Sequence, residues 1–257
     1  MFKFRRLLLL FLLNPFLNIF PQLEFSEHQI LAELGSAPSQ CYLGACYAEG
    51  HGVEIYLDKT FEWYLKFAEN GCAIAQCYIG ACFEEGDGVE KDSKKAFEWF
   101  LKSAEQGLDG ASCMVAICYK NGFGVEQDFG KAFEWYLKAA EQGDVDAQYN
   151  LGYYYEKGLG VEQDYKKAFE WYLKAAEQGL AEAQYNLASC YYNGCGVEMD
   201  QNAAFEWTLK VAQQGNIQAQ TVVSALYENG IGVGKDLQKA AEWKARAEET
   251  EKDLQEN

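Results

Sequence analysis

Apolar and polar positions follow two helical patterns that recur along the chain, most cleanly between residues 147 and 179. Ala147, Leu151, Gly152 and Tyr155 fall at i, i+4, i+5 and i+8, one apolar stripe of an α-helix. Ala168, Trp171, Tyr172, Ala175 and Ala176 fall at i, i+3, i+4, i+7 and i+8, a wider stripe that Phe169 and Leu173 broaden further. Such breadth suits a helix packed on its own partner and on the next unit. Between the two, Gly158 is placed to end the first helix in a left-handed turn, and Asp164 to cap the second by accepting from its free N–H groups. Asp92, Asp128, Asp200 and Asp236 stand at the same place in other copies. The first copy has Tyr56 there and Asp58 two residues later, so its second helix is expected to start slightly late. Glu170 and Lys174 are spaced i, i+4 in the favourable order, as are Glu98/Lys102, Glu134/Lys138 and Glu206/Lys210. Gly179, like Gly71, Gly107, Gly143 and Gly215, ends the second helix.

The copies keep strict time. Trp63, Trp99, Trp135, Trp171, Trp207 and Trp243 each lie 36 residues after the last, which means one structural unit in tandem. Trp135, in mid-array on the wide stripe, is expected to be buried, and Trp243 on the last helix less so. Gly44, Gly80, Ala116, Gly152, Ala188 and Ser224 recur inside the first helix. Glycine there costs roughly 0.5–1 kcal/mol relative to alanine, so the small side chains imply a helix crossing close by.

The pattern A-x-x-x-L-G-x-x-Y-x-x-G-x-G-V-x-x-D-x-x-K-A-x-x-W-Y-x-K-A-A-x-x-G resembles the Sel1-like repeat, a relative of the tetratricopeptide repeat with a longer turn between helices. It departs from the pattern at Met114-Val115-Ala116, at Thr221-Val222-Val223 and at Ala203-Ala204, all conservative for packing. The resemblance implies an all-α fold, a right-handed α/α superhelical solenoid of six 36-residue helix-turn-helix repeats with terminal capping helices. The expected organisation is a hydrophobic N-terminal extension over 1–22, a capping half-repeat over 23–35, six repeats over 36–250 and a charged tail over 251–257.

Composition narrows the function. Net charge is -17, from Asp and Glu recurring in every repeat. Such a coat repels polyanions, so no nucleic-acid partner is expected. Lys3, Arg5 and Arg6 precede seven apolar residues, Leu7 to Leu13, like the start of a secretory signal. Asn14 and Pro15 cut that run short, far below the ~20 residues that span a bilayer, and no small residue follows until Ser26. Membrane contact is expected only through Phe2 to Phe20. The nine cysteines are unevenly placed, and Cys41/Cys46, Cys77/Cys82 and Cys113/Cys118 are five residues apart, pointing about 140° away from each other on a helix. Reduced, mostly buried thiols and a cytoplasmic location are expected, with the secretory pathway or a membrane reached through the N-terminal segment as the alternative.

Chemistry finds no constellation here. Gly86-Asp87-Gly88 and its copies follow a helix and lack a third glycine, so they read as turns and not as a phosphate cradle. The two histidines, His28 and His51, belong to no repeated set. No catalytic residue, metal ligand or cofactor site is expected. The family's secreted, cysteine-rich bacterial branch is β-lactamase-like, a comparison that the cysteine-free fourth and sixth repeats weaken. Cys195, between two turn glycines, and Cys72, in a loop, are expected to be the accessible thiols.

What the resemblance implies is a non-catalytic scaffold or adaptor, with first helices lining a concave face that binds a protein or peptide. The expected partner-binding residues are Tyr149, Tyr153, Glu156 and Lys157 in the fourth repeat, with Tyr185, Tyr192 and Asn193 in the fifth. Tyrosine offers area, a hydroxyl and few rotors, which suits a binding hot spot. The same face is expected to expose Cys41, Ala45, Glu49, Cys77, Ala81, Glu84, Glu85, Cys113, Ile117, Lys120 and Asn121 in repeats one to three. Repeats five and six add Ser189, Thr221, Ala225, Glu228 and Asn229. A monomer is expected.

Overall fold

The computed structural model describes residues 23–256. The extension expected over 1–22 lies outside the described residues. The chain divides into two compact units, residues 1–138 and 139–257. All the regular structure of the described residues is helical. The first unit holds α1 (Phe25–Glu33), α2 (Ala37–Glu49), α3 (Leu57–Glu69), α4 (Ala73–Glu85), α5 (Ser93–Glu105), α6 (Asp109–Asn121) and α7 (Phe129–Glu141) as far as Lys138. The second unit holds the end of α7, then α8 (Val145–Lys157), α9 (Tyr165–Glu177), α10 (Ala181–Asn193), α11 (Gln201–Gln213), α12 (Ile217–Asn229) and α13 (Leu237–Glu256).

The caps form where the sequence places them. Asp92 accepts from the backbone N–H groups of Lys94 and Lys95, Asp164 from Lys167 and Asp200 from Ala203. Asp128 and Asp236 accept from Lys131 and Lys239 at 2.9 and 3.0 Å. The first repeat corrects an expectation, because α3 begins at Leu57 in step with the others and Tyr56 is its N-cap. The cause is tertiary: the Tyr56 N–H donates to the Tyr47 carbonyl at 3.1 Å, as the Asp92 N–H does to Phe83, so the turn fixes the start without a capping carboxylate.

Both turn glycines are required by geometry. Gly86 ends α4 in the left-handed region at φ 80°. A Cβ on Gly88, also at positive φ, would lie 2.1 Å from the Leu57 carbonyl oxygen at the start of the preceding second helix. The Gly86-x-Gly88 turn is therefore a helix stop pressed onto backbone.

Inside the first, second and fourth helix pairs the glycine meets an aromatic ring. A Cβ on Gly44 would lie 2.8 Å from the Tyr64 ring, on Gly80 2.6 Å from Phe100, and on Gly152 2.5 Å from Tyr172. Tyr64, Phe100 and Tyr172 are each 0% exposed, the floor of their repeats. Burying a side chain of that size contributes about 2–3 kcal/mol.

The tryptophans do not fill that role, against expectation. All six are half-buried. The ammonium groups of Lys66, Lys102, Lys138, Lys174 and Lys210 lie 3.7–4.1 Å from the ring centroids of the tryptophans three residues earlier, and Arg246 sits over Trp243 at 4.8 Å. The lysines paired with glutamate in the sequence thus lean back onto indole faces, where a desolvated ring attracts a cation more than an exposed carboxylate does.

A glutamine ladder joins successive repeats within each unit. Gln76 donates to the Ala68 carbonyl and accepts from Gln106 at 2.6 Å. Gln148 accepts from Gln178 and Gln184 from Gln214, at 2.8 and 2.9 Å. The ladder stops at Gln220, whose Oε1 is buried without a hydrogen-bond partner, because Thr250 occupies the place of the next glutamine.

Candidate functional site: the first-helix face of repeats four to six

The 13-residue helix α8 presents Tyr149, Tyr153, Glu156 and Lys157 within its last two and a half turns. Tyr149 is half-buried and tilted against Tyr172 with ring centroids 5.8 Å apart. Its hydroxyl shares a hydrogen bond with Asn186 of α10, and burial, with the charges of Glu182 and Glu156, pushes its pKa up. Glu156 accepts from the Tyr172 hydroxyl at 2.8 Å and pairs with Lys157. Burial and then that carboxylate raise the Tyr172 pKa, while the carboxylate's hydrogen bond raises that of the exposed Lys157. Lys157 also reaches over the half-buried Tyr153 ring. These four residues therefore form one network whose aromatic base is Tyr172, and Tyr149 also packs on the core of Ala175, Ala176, Ala183 and Leu187.

The three residues of α10 fall elsewhere. Tyr185 packs partly on the terminal core and its hydroxyl accepts from Gln218 at 3.4 Å. Tyr192 is 46% exposed. Asn193 donates to the Ser189 carbonyl of its own helix, as Asn121 and Asn229 do in theirs, so its amide serves the helix end in every such copy.

Tyr185 and Tyr192 line a cavity of about 320 Å³ between α10 and α12, with Ser189, Val222, Ala225, Leu226, Asn229 and Ile231 around it and Ala188, Ala204 and Thr208 at its base. Its origin is a single replacement. Thr208 stands 36 residues after Tyr172 and donates to the Ala204 carbonyl of its own helix at 2.7 Å, so the space a tyrosine ring fills one repeat earlier is left open. The sequence reading named Tyr185, Ser189, Tyr192, Ala225 and Asn229 but missed Val222, Leu226 and the floor. The readable signal was Thr208, the first non-aromatic residue in the series Tyr64, Phe100, Tyr136, Tyr172.

Repeats one to three correct an expectation. Cys41, Cys77 and Cys113 are 0%, 2% and 1% exposed, and Ala45, Ala81 and Glu84 are buried too, so they present no open surface. All nine cysteines are thiols. Burial pushes the Cys41 and Cys118 pKa values up to about 12, and also that of Cys190. Cys72 and Cys195 are both half-buried. Among the described residues, no cluster of three or more His, Cys, Asp or Glu could hold a metal ion. No described helix is long and apolar enough to cross a membrane.

Comparison with known proteins agrees with this architecture. The Sel1 repeat matches six times, at residues 37–72, 73–108, 110–144, 145–180, 181–216 and 217–247. A protective antigen present in uropathogenic Escherichia coli strains, with an SLR fold, is 37% identical at a TM-score of 0.82. The match covers 86% of this chain but 48% of that one, so the chain spans about half the antigen's length. A Sel1 repeat protein from Oxalobacter formigenes is 36% identical at a TM-score of 0.70, covering 83% of this chain and 85% of that one. Helicobacter pylori cysteine rich protein B, at 24% identity and a TM-score of 0.42, covers 50% of this chain and 95% of that one, too distant to inform function. No curated protein matches the chain significantly. With its helix pairs, its 36-residue period and these matches, the chain belongs to the Sel1 repeat family, an all-α solenoid class commonly used as a protein-interaction scaffold.

Proposed function

We propose that this protein is a non-catalytic adaptor that binds a protein or peptide on the first-helix, concave face of repeats four to six. The observation that carries the reading is the cleft between α10 and α12, about 320 Å³ and rimmed by the exposed Tyr192. That volume lies at the low end for ligand sites, the size for one apolar side chain or a turn of a peptide. Its walls are aliphatic and aromatic and its edge carries Ser189 and Asn229, a buried anchor site with a polar rim. The Tyr149–Tyr153–Glu156–Lys157 network lies one repeat away and supplies flat and charged contacts along the same face. The protein acts as a monomer, and its thiols suit the cytoplasm.

The test is affinity capture of the physiological partner by wild type and by a Tyr149→Ala/Tyr185→Ala variant. Capture is lost in the variant at unchanged helicity, while Cys41→Ala/Cys77→Ala captures normally. Loss with the cysteine pair and retention with the tyrosine pair would place the site in the other half. A second reading, an exported factor in contact with a host, is favoured by the 37% identity to the protective antigen. It requires the mature chain to have lost its N-terminal segment, which mass measurement of the intact protein decides.

A further inference from the structure

The cleft between α10 and α12 has the shape of a missing ring. Tyr64, Phe100, Tyr136 and Tyr172 fill this place in their own repeats and are at most 1% exposed, whereas Thr208 leaves it open. The opening of about 320 Å³ is floored by Ala188, Ala204 and Thr208 and walled by Val222, Leu226 and Ile231. Apolar cavities of roughly half that volume take up benzene. Tyr185 and Tyr192 stand at its rim, where a ring face or edge can meet a further aromatic side chain.

Charge around the opening has one sign. α10 and α12 together carry Glu182 and Glu228 and no lysine, arginine or histidine. Both carboxylates are exposed, and among the described residues neither takes part in an ion pair. The fourth repeat answers Glu156 with the adjacent Lys157, whereas Asn229 stands beside Glu228. Lys174 of α9 and Lys210 of α11 are turned onto the Trp171 and Trp207 rings, at 3.8 and 3.7 Å. Lys235 follows in the turn beyond α12. Glu182 lies one turn before Tyr185 and Glu228 one turn after Ala225, both cleft residues, so the two acids flank the opening from opposite ends. Allowing for the 36-residue period they are ten positions apart along the helices. With neighbouring helices about 10 Å apart, that sets them roughly 15–20 Å from each other. An extended chain covers this span in about five or six residues.

We propose that the partner segment received here is aromatic and basic. A phenylalanine or tyrosine enters between α10 and α12, and a lysine or arginine two or three residues away on each side meets Glu182 and Glu228. This deepens the reading of the cleft as the partner site and rests on it. Exposed charge pairs contribute at most about fivefold each to affinity, so the ring is the anchor and the cations give orientation and a salt-dependent on-rate. An acidic segment meets repulsion at both ends, and a small aliphatic anchor leaves much of the cavity without contacts.

The test is selection of phage-displayed random peptides on the full chain, with the Ala188→Gly/Thr208→Tyr variant, whose cleft is filled, as the counter-target. The expected consensus has one aromatic residue with a lysine or arginine within three positions on each side, and it is bound by the wild type and lost from the variant. For a synthetic peptide of that consensus, raising NaCl from about 50 to about 500 mM weakens Kd by about three- to tenfold. Glu182→Gln/Glu228→Gln, two exposed substitutions, gives a similar loss at low salt and removes the salt dependence. Cleft-dependent peptides that are acidic, aliphatic or indifferent to salt would overturn the aromatic and basic assignment and leave the cleft as the partner site. Peptides that bind the filled variant equally well, or no enrichment at all, would overturn both.

Discussion

Trp171 and Tyr172 are neighbours on α9, and the structure ranks them opposite to their prominence in the sequence. Tyr172 is 0% exposed, its ring lies where a Cβ on Gly152 would come within 2.5 Å, and its hydroxyl donates to Glu156 at 2.8 Å. Tyr172→Ala removes a fully buried aromatic and opens a cavity, a loss of about 3–5 kcal/mol. Trp171 is half-buried, with Lys174 over its face at 3.8 Å. Trp171→Ala loses roughly half the apolar burial of a large side chain, about 1–1.5 kcal/mol. The cation contact adds about 0.5–1 kcal/mol. The expected gap is thus about 0.5–3.5 kcal/mol in favour of Tyr172 as the structural residue. Urea unfolding followed by circular dichroism at 222 nm measures it without relying on the removed indole. Equal losses, or a larger one for Trp171→Ala, would refute the assignment of Tyr172 as the floor of the repeat.

Gly152→Val drives a branched side chain into the Tyr172 ring, and overpacking of this kind costs about 1–3 kcal/mol, read as a lower urea midpoint. Denatured protein takes up nine iodoacetamide labels and the native chain reacts first at Cys72 and Cys195, since the remaining thiols are buried or, like Cys190, raised in pKa; disulfide-linked peptides would contradict this. Cys41, Cys118 and Cys190 have pKa values near 12 in the fold against 9.0 for the free thiol, so unfolding releases protons above that value. Stability is accordingly full below pH 9 and falls between pH 9 and 12, which melting temperatures across that range will show. A flat profile would mean that these thiols are not buried.

The helices, the caps and the period were legible because each depends on local chemistry: an aspartate at a fixed offset, a glycine where φ is positive, an apolar stripe. Burial was less legible. Trp171 and Tyr172 occupy adjacent places on one wide stripe, and periodicity cannot tell which of two neighbours points at the paired helix and which skirts its edge. Tyr56 shows the same limit from the other side, since a backbone bond to Tyr47 starts α3 where no capping carboxylate exists. For the site, the tyrosines of repeats four and five were visible as residue types. The cleft was not, because it comes from an absence, Thr208 in a column of aromatic rings. The buried face of repeats one to three was hidden for a related reason, as tandem logic assigns equal exposure to equal positions.

The central claim, that a partner inserts an anchor between α10 and α12, is tested most directly by closing the cleft. Ala188→Gly/Thr208→Tyr rebuilds there the glycine–tyrosine pair that fills the fourth repeat, so folding is preserved while the cavity is removed. Titration calorimetry of the captured partner against wild type and this variant is the measurement. The account predicts a loss of about 2 kcal/mol or more, some 30-fold in Kd, at an unchanged melting temperature. Unchanged affinity in a folded variant would contradict it.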